Sequence, residues 1–330
     1  MYIKYYRDNS SVILESDEKI IKSVTKYLED FFCYCECNGN SFFEHSWKIT
    51  TNKSAQYFEK LNLMKIIIKQ SPEPFMTVYY SGEKKIIGLV LENSLAWQVQ
   101  NVIRFIRIVI RLQQKEDETI FFHGGFIKYK NKGICFLGDK KCGKTSSILS
   151  FLRKGNVSFI SNDDVSLNVK GPEIIGFGWP RSIVVRNDTL DKLNVNLKIK
   201  LAHPLNEKHT ADVTCFYPKE LCQQFEVPLL SEFKVDYVVF PEFKNTEYPI
   251  IQKLDHIAGS RKLQKNIQSV PGKYIDFLLP YFSKNLKELN LNKFKENDIC
   301  LISLNQSFDD LNAGSEALIK FIEQEGKSYD

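Results

Sequence analysis

Proline and glycine are scarce, at 11 and 16 of 330 residues, which leaves little room for long flexible linkers. No stretch reaches the roughly 20 apolar residues that a membrane-spanning helix requires. The longest apolar run, 99–112, is interrupted by Arg104, Arg107 and Arg111. These arginines lie three and four apart, as on the solvated stripe of a core-packing helix. No membrane partner is expected. Neither sign of charge dominates: a net charge of +5 is small for this length. No basic groove or stacking platform is legible, so no nucleic-acid partner is expected either. The opening residues Met1-Tyr-Ile-Lys-Tyr-Tyr-Arg-Asp lack an apolar core followed by a small-residue cleavage site. A cytoplasmic protein is therefore expected, with its eight cysteines reduced. Cys33-x-Cys35-x-Cys37 has only His45 as a further local donor, so these read as ordinary half-buried thiols rather than a metal site. Repeats and low-complexity tracts are absent.

What is present is a chain that is 43% hydrophobic, enough for a substantial globular core. Residues 1–95 read as a small α+β domain, with a helix over 19–32 and strands over 63–68, 76–80 and 86–91. Residues 96–330 read as a larger α/β domain. It opens with a helix over 96–114 and a charged turn at 115–118, then a strand over 119–122 that leads into His123. A hairpin of 126–129 with 134–137 follows, then a helix over 145–153 and a strand over 157–161. Further strands are expected over 165–169, 173–175, 182–185, 235–240 and 299–304, with 176–180 as a rigid turn. Lysine-rich helices and an amphipathic helix over 308–323 complete the chain; Gly314 and Ser315 thin the apolar stripe of that last helix.

The chain is organised around Gly138-Asp139-Lys140-Lys141-Cys142-Gly143-Lys144-Thr145. This fits the phosphate-loop pattern G-x-x-x-x-G-K-[ST] at every constrained position, between a short buried strand and an apolar-periodic helix. In that setting consecutive backbone N–H groups face inward and form an anion site, reinforced by the helix N-terminus. Lys144 would reach the terminal phosphates of ATP and Thr145 would offer its hydroxyl to Mg²⁺. The nucleotide-contacting set is Gly138, Asp139, Lys140, Lys141, Cys142, Gly143, Lys144, Thr145 and Ser146.

A phosphate loop specifies a nucleotide, not a reaction. The second feature is Asp163-Asp164, at the end of the strand that follows the loop helix. Strands of such sheets that run parallel to the loop strand end on the side where the loop sits, which would bring the pair beside the γ-phosphate. One carboxylate can hold Mg²⁺, the part assigned to Asp164 with Thr145. The other can accept the proton of an incoming hydroxyl; either Asp163 or Asp164 could do so, with Asp163 preferred. His123 ends a strand tied to the loop strand by the hairpin, so it can reach the same pocket.

These features, in this order, resemble the HPr kinase/phosphorylase family. The likeness runs through Phe122-His123-Gly124, Gly133-Ile-Cys-Phe-Leu-Gly138, Gly143-Lys144-Thr145, Arg153-Lys-Gly155 and Ser161-Asn-Asp163-Asp164, with a weaker extension through Val238-Val-Phe-Pro-Glu242. The resemblance implies a P-loop kinase core of the HPr kinase/phosphoenolpyruvate carboxykinase type, preceded by a small α+β domain. It implies γ-phosphoryl transfer from ATP with Mg²⁺ to a serine of a peptide or protein, by catalytic residues Asp163, Asp164, His123 and Lys144. Association into a homo-oligomer also follows from it. Residues 174–179 read Ile-Ile-Gly-Phe-Gly-Trp, without the arginine of the E-I-R-G-L-G signature of the bifunctional sugar-regulating enzymes. Phe177-Gly-Trp-Pro180-Arg181 instead resembles divergent kinases encoded with ribosomally made peptides, lasso peptides among them. Neither phosphorylase activity nor HPr as acceptor is therefore expected. Arg181 or Arg186 is placed to contact the transferring group. Two other functions share the same motif: a nucleotide-dependent peptide-binding protein without phosphotransfer, and a small-molecule kinase.

Overall fold

A computed structural model describes residues 1–37, 46–69, 73–114, 119–207, 212–268, 276–282 and 299–327. His45, the turn at 115–118 and the lysine-rich stretch 283–298 lie outside the described residues. The chain forms two compact units. The first comprises Met1–Glu118, Ala202–His209 and Val270–Lys287, and the second comprises Thr119–Leu201, Thr210–Ser269 and Glu288–Asp330.

The first unit contains β1 (Tyr2–Arg7), β2 (Ser10–Glu15), α1 (Glu18–Leu28), β3 (Cys33–Glu36), β4 (Trp47–Thr50), α2 (Ala55–Lys60), β5 (Met64–Ile68), β6 (Met76–Ser81), β7 (Ile86–Val90) and α3 (Leu95–Gln114). Its strands make one mixed sheet in the order β3-β1-β2-β4-β7-β6-β5. Strand β1 alternates in burial, with Ile3, Tyr5 and Arg7 turned inward, the period expected of a strand with one covered face. Helix α3, expected to open the second domain, belongs to this first unit, so the division falls after Glu118 instead of at 95. The reason is packing: α3 buries Val102, Phe105, Ile106 and Val109 as it lies on β2 and α1. The Gln113 amide also clamps the start of β2, accepting from Ser11 N at 2.9 Å and donating to Ser11 O at 2.8 Å. The expected solvated arginine stripe is corrected too. Arg111 is fully buried, and Arg104 is held by Glu73 at 2.7 Å. Cys33 and Cys35 are exposed on the edge strand β3. Among the described residues no three His, Cys, Asp or Glu side chains form a metal cage.

The second unit contains β8 (Ile120–Phe122), β9 (Gly124–Tyr129), β10 (Lys132–Leu137), α4 (Lys144–Leu152), β11 (Val157–Ser161), β12 (Val165–Lys170), β13 (Glu173–Phe177), β14 (Ile183–Arg186), α5 (Asn187–Lys192), β15 (Val213–Phe216), α6 (Pro218–Phe225), β16 (Glu232–Lys234), β17 (Tyr237–Phe243), β18 (Ile250–Lys253), α7 (His256–Asn266), β19 (Cys300–Gln306) and α8 (Leu311–Lys327). A six-stranded sheet runs β11-β9-β10-β17-β19-β18, beside a four-stranded sheet β16-β13-β12-β8 and the pair β14-β15. Alternate residues of β10 enter two cores. Ile134 and Phe136 pack with Leu149, Phe151 and Leu318 of α4 and α8. Cys135 and Leu137 pack with Val165 and Leu167 of β12 and Leu263 of α7. A strand buried on both faces is apolar throughout, which is why 134–137 reads as an unbroken run. The expected rigid turn at 176–180 is partly strand, because β13 continues through Gly176 and Phe177 to pair with β12 and β16. The thin stripe at Gly314 and Ser315 has a physical explanation. Ser315 Oγ bonds Ser150 Oγ of the loop helix at 2.7 Å, and a Cβ at 314 would run into Gln306 Oε1. No helix among the described residues is long and apolar enough to cross a membrane.

Candidate functional site

The site is built on one edge of the six-stranded sheet. Strand β9 lies between β10 and β11 and is antiparallel to both. Hence β10 and β11 point the same way, and β9 begins where they end. The register pairs Leu137 with Gly124 and Ser161 with Phe126. Three segments distant in sequence therefore meet: the phosphate loop after Leu137, His123 before Gly124, and Asn162-Asp163-Asp164 after Ser161. The acidic pair reaches the loop's edge with an antiparallel strand intervening between its own strand and that of the loop.

The loop needs backbone that most residues resist. Gly138 has φ +155°, Gly143 φ +107° and Lys141 φ +68°. Glycine takes such values at little cost. Around Gly143 space is equally short: a Cβ there would lie 2.9 Å from Gln306 Nε2 and 3.0 Å from Phe243 Cζ. Lys144 is buried and its ammonium donates to the carbonyls of Gly138 at 2.9 Å and Asp139 at 2.8 Å. The positive charge is thus stored inside the loop's own curve. Asp139, Lys140 and Lys141 are exposed, Cys142 is half-buried and Ser146 is buried. Burial pushes the Cys142 thiol up, against the opposing pull of Lys144, so this cysteine is not an activated nucleophile. Lys265 of α7 reaches Asp139 at 2.7 Å and holds its carboxyl below the usual range.

The two aspartates sit in different surroundings. Asp164 is 1% exposed and its Oδ1 accepts from Arg181 Nη1 at 2.7 Å. Arg181 is delivered by a rigid segment: Trp179 is buried and donates to Ser166 Oγ at 3.0 Å. Gly178, where a Cβ would collide with the Ile160 carbonyl, lets that segment pass close to β11. Asp163 is only half-buried and takes φ +64°, a left-handed conformation that costs energy outside glycine and recurs at functional positions. Its carbonyl lies 3.0 Å from His123 Nδ1. Burial first, then the charge of Lys144, lowers the His123 pKa below its ordinary value, which favours a neutral imidazole here. The Thr145 hydroxyl donates to Asn162 Oδ1 at 3.1 Å.

Thus His123, Asn162, Asp163, Asp164, Lys144 and Thr145 share one sheet edge with Arg181. Arg186 does not join them; it pairs with Asp188 at 2.8 Å on an exposed surface. Asn162 was not singled out by sequence reasoning, since an amide beside two carboxylates carries no motif. Gln306 was missed as well, because nothing in its local sequence points to the phosphate loop. The hydroxyl and carboxylate oxygens of Thr145, Asp163 and Asp164 are a hard donor set. Such a set suits Mg²⁺, which one or two carboxylates hold together with substrate phosphates.

No family model matches the chain, and no curated protein matches it. Among solved structures the chain is similar to the Hpr(Ser) kinase/phosphatase from Coxiella burnetii at 10% identity, with 63% of this chain and 98% of that chain covered and a TM-score of 0.32.

Proposed function

We propose that the protein is an ATP- and Mg²⁺-dependent kinase that transfers the γ-phosphoryl group to a serine hydroxyl of a peptide or protein, with ribosomally made precursor peptides as the acceptor class. One observation carries the reading: the phosphate loop, His123 and the Asp163-Asp164 pair share one sheet edge, although the paired strands come from separate parts of the sequence. The motif order shared with HPr kinases/phosphorylases supports it.

In this reading the backbone amides from Asp139 to Lys144 hold the phosphates, and Lys144 leaves its carbonyl partners to neutralise the terminal phosphate oxygens. Bound Mg²⁺ would supply charge neutralisation at the phosphates, held by Thr145 and Asp164. Asp164, paired with Arg181 at 2.7 Å, is the fixed carboxylate. Asp163, more accessible, takes the serine proton as the serine oxygen bonds to the γ-phosphorus and the bond to the β-phosphate oxygen breaks, releasing ADP. Neutral His123 orients the Asp163 backbone through the contact at its carbonyl. Soluble assembly into a homo-oligomer in the cytoplasm belongs to the same proposal.

The test is intact-mass spectrometry of serine-containing peptides co-expressed with wild type, Lys144→Ala or Asp163→Asn. A gain of one phosphoryl unit with wild type alone is expected, with transfer by Asp163→Asn reduced about 10²–10⁴-fold, the span of a lost general base. ATP binding with no mass gain on any peptide would overturn the peptide-kinase reading in favour of a nucleotide-dependent binding protein or a small-molecule kinase.

A further inference from the structure

Asn162 has no part in the mechanism above, yet its position is tightly built. It is 2% exposed, and its Oδ1 takes the hydrogen of the Thr145 hydroxyl at 3.1 Å. Its Nδ2 is buried without a hydrogen-bond partner among the described residues. The opposite strand makes room for this amide: a Cβ at Gly125 would lie 3.3 Å from Asn162 Oδ1 and would collide with Ile148 Cδ1 of the loop helix. The start of β9, the first turn of α4 and the end of β11 therefore close around one hydrogen bond.

A hydroxyl has one hydrogen and two lone pairs. With the hydrogen committed to Asn162, the lone pairs of Thr145 Oγ1 are directed away from the amide and are available to a cation. A buried donor without a partner lowers stability, so the amide is not explained by stability alone, and such groups call for another role. An aspartate here would offer Thr145 the same acceptor oxygen while adding a third carboxylate beside Asp163 and Asp164. The carboxamide orients the hydroxyl without that repulsion.

We propose that Asn162 is the positioning residue of the cation site, acting from the outer sphere by orienting the Thr145 hydroxyl toward the Mg²⁺ of a bound Mg–nucleotide. This rests on the nucleotide-binding reading above. Outer-shell partners of metal ligands typically contribute 10–100-fold to metal affinity.

The experiment measures ADP binding to the full chain by isothermal titration, with and without Mg²⁺, and takes the ratio of the two affinities. Asn162→Ala should lower that ratio by about tenfold and leave Mg²⁺-free ADP affinity unchanged. Asn162→Asp, which keeps the acceptor oxygen, should retain the ratio. Because Asn162 acts through the hydroxyl, the double variant Thr145→Val/Asn162→Ala should lose no more than Thr145→Val alone. An unchanged ratio in Asn162→Ala, or additive losses in the double variant, would overturn the assignment while leaving the kinase reading intact. Should Asn162→Ala not fold, Asn162→Asp decides: a ratio as low as that of Thr145→Val overturns the proposal. Wild type that binds no ADP under either condition would take down the nucleotide reading, and this proposal with it.

Discussion

The Asp164–Arg181 pair offers a quantitative test because its two ends differ in exposure. The Asp164 side chain is 1% exposed and that of Arg181 is 32% exposed, with the atoms 2.7 Å apart. Removing one partner of a fully buried pair costs about 3–5 kcal/mol, since a charge remains with neither solvent nor counterion. Arg181→Met takes the guanidinium away from a carboxylate that water cannot reach, so its cost should approach that range. Asp164→Asn leaves a guanidinium on a side chain that is already 32% exposed to solvent, and the amide oxygen still accepts its hydrogen bond. That variant should cost about half as much, on the order of 2 kcal/mol. The assay is urea unfolding in a Trp47→Phe/Trp97→Phe background, where Trp179 is the remaining indole of the three and reports on the second unit. The midpoints should fall in the order wild type, Asp164→Asn, Arg181→Met. Equal losses, or a larger loss in Asp164→Asn, would refute the view that burial of the carboxylate governs the pair.

Other expectations follow from single contacts. Gly143→Ala must hold φ +107° with a Cβ 2.9 Å from Gln306 Nε2; it should cost about 1–3 kcal/mol and weaken ADP binding in the same titration, and an unchanged ADP affinity would contradict it. Gly314→Ala pushes on Gln306, whose amide is tied to Ser147 Oγ at 2.9 Å; overpacking there should cost about 1–3 kcal/mol, read as a lower urea midpoint of the Trp179 signal. His203 is held down to about 4 by burial and then by Arg104. Its folded pKa lies below the unfolded value of 6.5, so protons favour the unfolded chain. The stability it lends is full above 6.5 and is lost as pH falls towards 4, about 3 kcal/mol at about 1.4 kcal/mol per pH unit. His203→Gln should flatten the pH dependence of the melting of the first unit over that window; an unaltered slope would assign the loss to other groups.

How much could be read without coordinates depended on the range of each interaction. The phosphate loop was legible because its chemistry lies in consecutive residues: glycines where the backbone turns left-handed, then Lys144 and Thr145 on the first helical turn. The strand at 134–137 was legible as an unbroken apolar run, and the helix after the loop by its apolar period, because burial leaves its mark on neighbouring residues. The domain boundary was not, because α3 is apolar on the face it presents and only packing decides which sheet it covers. Nor was the burial of Arg111, since an arginine among isoleucines has the same sequence pattern whether solvated or enclosed. The expectation that Asp163 and Asp164 reach the loop needed only strand direction, and the structure brings them there with antiparallel β9 between.

By itself the sequence determined the loop, its flanking elements and the presence of an acidic pair, since each is a property of neighbouring residues. Tertiary structure alone decided the unequal settings of the two aspartates, the pairing of Arg181 in place of Arg186, the clasp of Asn162 on Thr145 and the packing of Gln306 against Gly143. Each joins side chains many residues apart. Whether they meet is set by strand register and by the space that Gly125, Gly178 and Gly314 leave open, quantities that exist only once the sheets have paired and packed.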